Sequence, residues 1–184
     1  TVATSGGIDI VVVNAGIFPK SDLLENIQLA DWEKSVNVNL SGALHTISES
    51  MKWLKKQGHG GDILFIASKN VPAPGKEAAS YSVAKAGQTQ LMRIAALEGA
   101  KHGIRVNALH PHLVLDTALW GGGVLESRAQ AYKMSVEEYK KNNLLGVEIT
   151  SKDVAQAAFA LVSGAFSKAT GLQLSFDGGS DRTI

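Results

Sequence analysis

Residues 61–109, GDILFIASKNVPAPGKEAASYSVAKAGQTQLMRIAALEGAKHGIRVNAL, decide the fold. Two short apolar runs rich in Ile and Val, 63–67 and 104–109, flank the segment 79–102. That middle segment is rich in Ala, Leu and Lys and stops at Gly103, as a helix does. Runs that are almost continuously apolar are typical of strands covered on both faces in a parallel sheet. The sequence therefore predicts two parallel strands joined by a right-handed helical crossover.

The same alternation continues on both sides of this unit. Residues 8–13 (IDIVVV) and 172–176 (LQLSF) predict two more strands, and the first is again almost continuously apolar, so coverage on both faces is expected there too. Residues 29–56 and 151–162 predict helices, the second with Asp153 in its first turn. This order predicts an α/β fold, a partial Rossmann-like doubly wound parallel sheet.

A long connection, 116–148, separates the third predicted strand from the last predicted helix. It contains Trp120 and three consecutive glycines, followed by a charged stretch. An insertion of this length after the carboxyl end of a strand favours a substrate loop or lid over a linker. We expect it to belong to a single domain, 1–184.

Composition excludes several classes of protein. The chain has 184 residues, with 18 Lys and Arg against 17 Asp and Glu, so a strongly basic nucleic-acid binder is excluded. It has no apolar run long enough to cross a membrane and no leader pattern at Thr1, and it contains no cysteine. These features predict a cytoplasmic location. His110 and His112 have no third ligand at a usual spacing, so no metal site is predicted.

Ser68, Tyr81 and Lys85 form the strongest candidate constellation for chemistry. Tyr81 and Lys85 are four residues apart, so they share one helical face, and Ser68 follows the strand before that helix. A nearby ammonium is expected to lower the pKa of a phenol, which suits the phenol for proton transfer near neutral pH. A serine beside it could hydrogen-bond a carbonyl or alkoxide. The alternative is an ordinary surface pair on a helix.

Four further stretches accompany this constellation in a fixed order: Asn14-Ala15-Gly16, Asn37-Val38-Asn39-Leu40-Ser41-Gly42, Arg105-Val106-Asn107 before Pro111, and Asp177-Gly178-Gly179. Ser68 also lies 13 residues before Tyr81. In these features the chain resembles the short-chain dehydrogenase/reductase family along nearly its whole length. The resemblance implies an oxidoreductase that interconverts an alcohol and a carbonyl of a small molecule with NAD or NADP.

The resemblance also implies a role for each matching residue. Tyr81 would be the general acid and base, Lys85 would lower its pKa, Ser68 would orient the substrate oxygen, and Asn39 would anchor a water in the proton relay. The residues implied to contact the cofactor are Asn14, Ala15, Gly16, Tyr81, Lys85, Pro111 and His112. The helices 29–56 and 79–102 are expected to pair across a twofold axis in a homodimer or tetramer.

Three positions depart from the family's pattern. His112 replaces a glycine and is expected to line the cleft. Asp116 occupies the place of a threonine that contacts the nicotinamide amide, with Thr117 one residue late. Lys69 follows the serine where small residues are commoner, which predicts a cation near the mouth of the site. The run from Ile66 to Asn70 and Leu119-Trp120 resemble the dehydrogenase domain of bifunctional rhamnulose-phosphate aldolase/alcohol dehydrogenases, which implies a substrate such as lactaldehyde.

No strand, Gly-rich turn and helix of the dinucleotide-binding type precedes residues 8–13. The resemblance therefore predicts a truncated domain without the family's pyrophosphate-binding half, with 8–13 at an edge of the sheet and weak dinucleotide binding by the chain alone. Two other functions remain open at this point. One is a non-catalytic assembly module, and the other is a cofactor-free enzyme that uses Tyr81 and Lys85 for acid–base chemistry.

Overall fold

The computed structural model of the chain describes residues 2–180; Thr1 and 181–184, the two ends of the predicted domain, lie outside the described residues. Four parallel strands form one sheet in the order β1-β2-β3-β4. Their bounds are β1 Ile10–Val13, β2 Gly61–Ile66, β3 Ile104–Pro111 and β4 Gln173–Phe176. The predicted parallel α/β sheet is confirmed, and each predicted strand end lies within one or two residues of the observed one.

Helices connect these strands. Their bounds are α1 Val2–Ser5, α2 Leu29–Val36, α3 Gly42–Gln57, α4 Ala79–Gly99, α5 Val124–Ala131, α6 Val136–Lys140 and α7 Ser151–Val162. The predicted helix 29–56 is continuous, but a π-helical segment, Asn37–Ser41, joins α2 to α3. Sequence periodicity did not predict this segment. Short 3-10 turns lie at Leu24–Asn26, Ala100–His102, Ala118–Trp120 and Gly164–Phe166.

Local sequence explains where the long helices stop and start. Gly58, at φ 78°, ends α3 in a left-handed conformation that glycine adopts without steric cost. Gly103 plays the same part after α4, at φ 71°. The start of α7 is a capping box: Thr150 accepts from the Asp153 backbone N–H, and the Asp153 side chain accepts from Thr150. The predicted N-terminus of α7 is confirmed.

Two apolar cores lie on opposite faces of the sheet. Alternate residues of β2 point to opposite faces, so Ile63 and Phe65 join α3 and α4 on one side. Leu64 packs with Leu109 and Leu161 of α7 on the other. Helices on both faces make the sheet doubly wound, and because the strands are parallel, their carboxyl ends lie at one edge.

The expectation of coverage on both faces is wrong for β1. Val11 and Val13 pack into the core beneath α3, but Ile10 and Val12 are 50% and 49% exposed. The reason is the position of α7, which packs against β2 and β3 instead. Within the described residues, β1 is also an edge strand that pairs with β2.

Candidate active site

The carboxyl ends of the strands open into a cavity of about 720 Å³. Asn14 and Gly16 come from the loop after β1, Ser68 from the loop after β2, and Pro111 and His112 from the end of β3. Because parallel strands end at the same edge of a sheet, residues far apart in sequence meet there. The cavity therefore brings together most of the predicted site residues.

Ser68 lies two residues beyond β2, and both its hydroxyl and its backbone carbonyl are hydrogen-bonded. Its Oγ accepts hydrogen bonds from the Asn70 backbone N–H, at 3.1 Å, and from Asn70 Nδ2, at 3.5 Å. Its carbonyl oxygen accepts from Nδ1 of His110, at 2.9 Å, which fixes the proton of that buried ring on Nδ1. Asn70 and His110 thus position Ser68, and neither role was predicted.

Tyr81 lies in the first turns of α4, buried and packed against Phe18 with ring centroids 4.8 Å apart. Burial raises the pKa of Tyr81, and a hydrogen bond that the Ser68 hydroxyl donates to the ionised phenol opposes the rise. The expectation that Lys85 lowers the pKa of this phenol is wrong for this structure. Lys85 Nζ lies 5.9 Å from the ring centroid of Tyr81, and burial sets the direction of the shift, which is upward.

Lys85 is buried one turn along the same helix. Its Nζ donates to the Ile66 carbonyl oxygen, at 2.8 Å, and to Gln88 Oε1, at 3.1 Å. Burial lowers the pKa of Lys85 to about 8, because a low dielectric disfavours the ammonium form. Gln88 is fully buried, and its Nε2 donates to the Asn39 carbonyl oxygen at 3.3 Å. One amide side chain therefore joins Lys85 to Asn39.

Asn39 lies in the π-helical segment and is fully buried behind the cavity wall. Its Oδ1 accepts from the Ile17 N–H at 2.9 Å, and its Nδ2 donates to the Ile17 carbonyl at 3.0 Å and to Ser35 Oγ at 3.1 Å. The side chain fixes the loop after β1, where Ala15 is exposed and Gly16 lines the cavity. π-helical turns are frequent at functional sites because the extra residue redirects a side chain.

The loop after β1 passes close to Lys85, and the space it leaves beside the ammonium suits a nicotinamide cofactor. A Cβ on Gly16 would lie 3.0 Å from Asn39 Oδ1 and 3.6 Å from Lys85 Nζ, so any larger residue would fill the space beside the ammonium. Asn14, Pro111 and His112 line the same cavity, His112 as predicted. The polar groups and the open backbone are those that a ribose and an amide would contact.

The insertion, residues 116–148, closes the far side of the cavity with Trp120, Tyr132 and Tyr139. Thr117 also lines the cavity. Asp116 does not take the part of the threonine that was expected to contact the nicotinamide amide. Its carboxylate instead accepts hydrogen bonds from the Ser151 backbone N–H, at 2.8 Å, and from Ser151 Oγ, at 2.6 Å. The hydrogen bond from the Ser151 side chain lowers the pKa of Asp116 most, and the bond from the Ser151 backbone lowers it further. Both bonds join the insertion to the start of α7.

Lys69 does not place a cation at the mouth of the cavity, because the residue is only 3% exposed. Its backbone N–H donates to the Pro111 carbonyl oxygen. A different cation, Arg128 of α5, is buried and lines the cavity. The sequence analysis did not predict it. Among residues 2–180, no three His, Asp or Glu side chains are grouped to hold a metal ion. No helix within that range is long and apolar enough to cross a membrane.

The chain is similar to known proteins along nearly its whole length. The sequence model of the family described as Enoyl-(Acyl carrier protein) reductase matches residues 1–181. The uncharacterized oxidoreductase YuxG of Bacillus subtilis is 40% identical over 179 residues, 95% of this chain. The short chain dehydrogenase/reductase astE of Aspergillus oryzae is 30% identical over 184 residues, 97% of this chain. The crystal structure of carveol dehydrogenase from Mycobacterium avium in complex with NAD has a TM-score of 0.89 and 28% identity over 97% of this chain.

The chain is shorter than each of these relatives. It spans 26% of the Bacillus protein, 67% of the Aspergillus protein and 67% of the chain of carveol dehydrogenase. The match of the family model nevertheless runs over nearly all of the chain, and the serine, tyrosine and lysine meet in one cavity. The chain belongs to the short-chain dehydrogenase/reductase family.

Proposed function

We propose that this chain carries the catalytic residues of an oxidoreductase that interconverts a small alcohol and its carbonyl compound with NAD or NADP. One observation carries the proposal: the hydroxyls of Ser68 and Tyr81 are hydrogen-bonded on a cavity wall that also holds buried Lys85. Membership of the family and the likeness to a carveol dehydrogenase in complex with NAD support it. An assembly module would have no need for a buried lysine beside a buried phenol.

In the proposed reaction, Tyr81 exchanges a proton with the substrate oxygen, and Ser68 donates a hydrogen bond to that oxygen. The raised pKa of Tyr81 keeps its proton in place at neutral pH, which is the form that protonates a carbonyl oxygen during reduction. When bound, the nicotinamide cofactor donates or accepts the hydride.

The cofactor would lie along the loop after β1 and the end of β3. Gly16 allows its close approach, Asn14 and His112 offer polar contacts, and Lys85 would bond its ribose. Asn39 contributes indirectly, because it holds that loop in place through Ile17. The insertion 116–148 would act as the lid of the substrate side, where its aromatic side chains exclude water.

The test is Tyr81→Phe in the complete protein, with NAD(P)H absorbance as the readout. Because phenylalanine keeps the packing against Phe18, we expect an intact fold and a fall in kcat of at least about 100-fold. Ser50→Ala, on the core side of α3, is the control and should turn over normally. Unchanged turnover by Tyr81→Phe would dismiss the assigned proton donor.

We also propose that the protein is a cytoplasmic homodimer or homotetramer. The support is apolar exposure on the two long helices: Leu44 and Trp53 of α3, and Ile94 and Leu97 of α4, with Leu97 81% exposed. Light scattering should give a multiple of the 19.4 kDa chain mass, and Leu97→Lys should shift it towards the monomer.

A lactaldehyde-type substrate, implied by the narrower resemblance, stays a prediction that substrate profiling would test.

A further inference from the structure

Arg128 is a buried cation whose partners do not balance its charge. It is 6% exposed, its Nη1 donates to the Lys76 carbonyl oxygen at 3.0 Å, and its Cζ lies 5.4 Å from the ring centroid of Tyr132. Within residues 2–180, it forms no ion pair with a carboxylate. Burying a charge without an opposite charge is costly, so the position needs a reason beyond packing.

The wall of the cavity has one sign of charge. Lys85 and Arg128 both line it, and no Asp or Glu side chain is among its described lining residues. A cleft lined by cations with apolar walls between them concentrates field lines and attracts anions. The cavity is therefore suited to a negatively charged ligand on the substrate side as well as the cofactor side.

Three polar groups, one of them the Arg128 guanidinium, converge at Gly75. Measured from the place a Cβ would take on Gly75, Arg128 Nη2 lies at 3.1 Å, Asn70 Oδ1 at 3.1 Å and the Tyr132 hydroxyl oxygen at 3.6 Å. Asn70 also donates to Ser68 Oγ, so the cluster adjoins the reacting centre. Only a glycine leaves this space open, because any side chain at residue 75 would press against the guanidinium.

We propose that Arg128, with the Tyr132 hydroxyl beside it, forms a subsite for an anionic group of the substrate, a carboxylate or a phosphate monoester. The inference rests on the proposed function, since it places the anion on the same molecule whose hydroxyl or carbonyl meets Ser68 and Tyr81. A guanidinium has five N–H donors in a planar fork, and the structure shows one of them donating, to Lys76. The remaining fork matches the paired oxygens of either anion.

The test is calorimetric binding to the complete protein with NADH present, so that no alcohol is oxidised, using lactate, glycerol 3-phosphate and the neutral 1,2-propanediol. We expect one of the two anions to bind at least about tenfold more tightly than the diol, and which one does so identifies the group. Arg128→Gln should remove that preference. Arg128→Lys should retain part of it, since the positive charge remains.

Arg93→Gln, an exposed arginine on α4, is the matched control and should keep the preference. Equal binding of the anions and the diol by the unaltered chain would overturn the subsite, and this outcome does not depend on any variant folding. An unchanged preference in folded Arg128→Gln would overturn it too. If Tyr81→Phe retained turnover while Arg128→Gln lost the preference, the proton donor would be wrong and the anion subsite correct.

Discussion

The two sides of the cavity are built in different ways. The floor, formed by the proposed catalytic residues Ser68, Tyr81 and Lys85, lies on a strand end and a long helix, and each of its residues is buried and hydrogen-bonded. The insertion 116–148 closes the opposite side with short helices, and its Leu144 and Leu145 are 67% and 73% exposed. Under the proposed function, the chemistry rests on rigid elements, whereas recognition of the substrate falls to a segment that can vary.

The physical difference between them is in their support. The floor is fixed by parallel strands whose backbone groups are paired with their neighbours and by α4, a helix of 21 residues. The insertion contains helices of eight and five residues, α5 and α6, which are too short to be stable alone. It depends on ring contacts of Tyr139 with Trp120 and Tyr132, and on caps at helix ends.

The largest effect expected in the floor is a pH-dependent change in stability on Lys85→Met. Burial lowers the pKa of Lys85 from 10.5 to about 8, so below pH 8 the folded chain bears the full cost of a buried ammonium, about 3 kcal/mol. The free energy of unfolding of the unaltered chain should rise as pH increases from about 8 to 10.5, because the folded state loses its proton first. Lys85→Met should lack this rise. Chemical denaturation across that pH range measures it.

Lys52→Met, an exposed lysine on α3, is the matched control and should follow the unaltered chain. A pH dependence that is the same in Lys85→Met would mean that Lys85 is not buried as a cation. The contrast between a buried floor and an exposed insertion would then be wrong, because Lys85 would be as solvated as the insertion.

An intermediate effect is expected for Gln88→Leu. This change removes the amide that joins Lys85 Nζ to the Asn39 carbonyl, so we expect kcat to fall about tenfold with little change in KM. The pH profile of kcat should also shift, because the partner of the ammonium is lost. Gln90→Leu, on the exposed side of the same helix, should change neither. If the two variants behaved alike, Gln88 would have no positioning role in the floor.

The smallest effect is expected in the insertion. Ser135→Ala removes the capping box at the start of α6, in which Ser135 and Glu138 accept from each other's backbone N–H, and should cost about 1 kcal/mol. Amide hydrogen exchange should quicken in α6 and stay unchanged in α4, because the two sides are supported separately. Equal loss of protection in both helices would show that the insertion and the floor unfold as one unit.

Local rules made part of the site predictable. The i and i+4 spacing of Tyr81 and Lys85 on one helical face follows from helix geometry, and the position of Ser68 follows from the end of an apolar run. The cap of α7 at Thr150 is equally local. The parts that were missed depend on contacts between distant segments: Asn70 and His110 at Ser68, Gln88 between Lys85 and Asn39, and Arg128 beside Gly75.

Gln88 left a signal that could have been used, since it is a polar residue on the same face of α4 as Lys85, one turn further along. The direction of the pKa shift of Tyr81 left none. Spacing reports which groups are near each other, but the pKa of a phenol also depends on how much water the rest of the fold removes.

By itself, the sequence determined the parallel α/β sheet, the long helices and the pairing of Tyr81 with Lys85, because periodicity and caps act between neighbours in the chain. Only the tertiary structure decided which charges are buried: Lys69 beneath the end of β3, and Arg128 in the cavity wall. It also decided that one face of β1 stays open, since α7 packs over β2 and β3. Burial depends on where distant segments pack, and no local pattern records that.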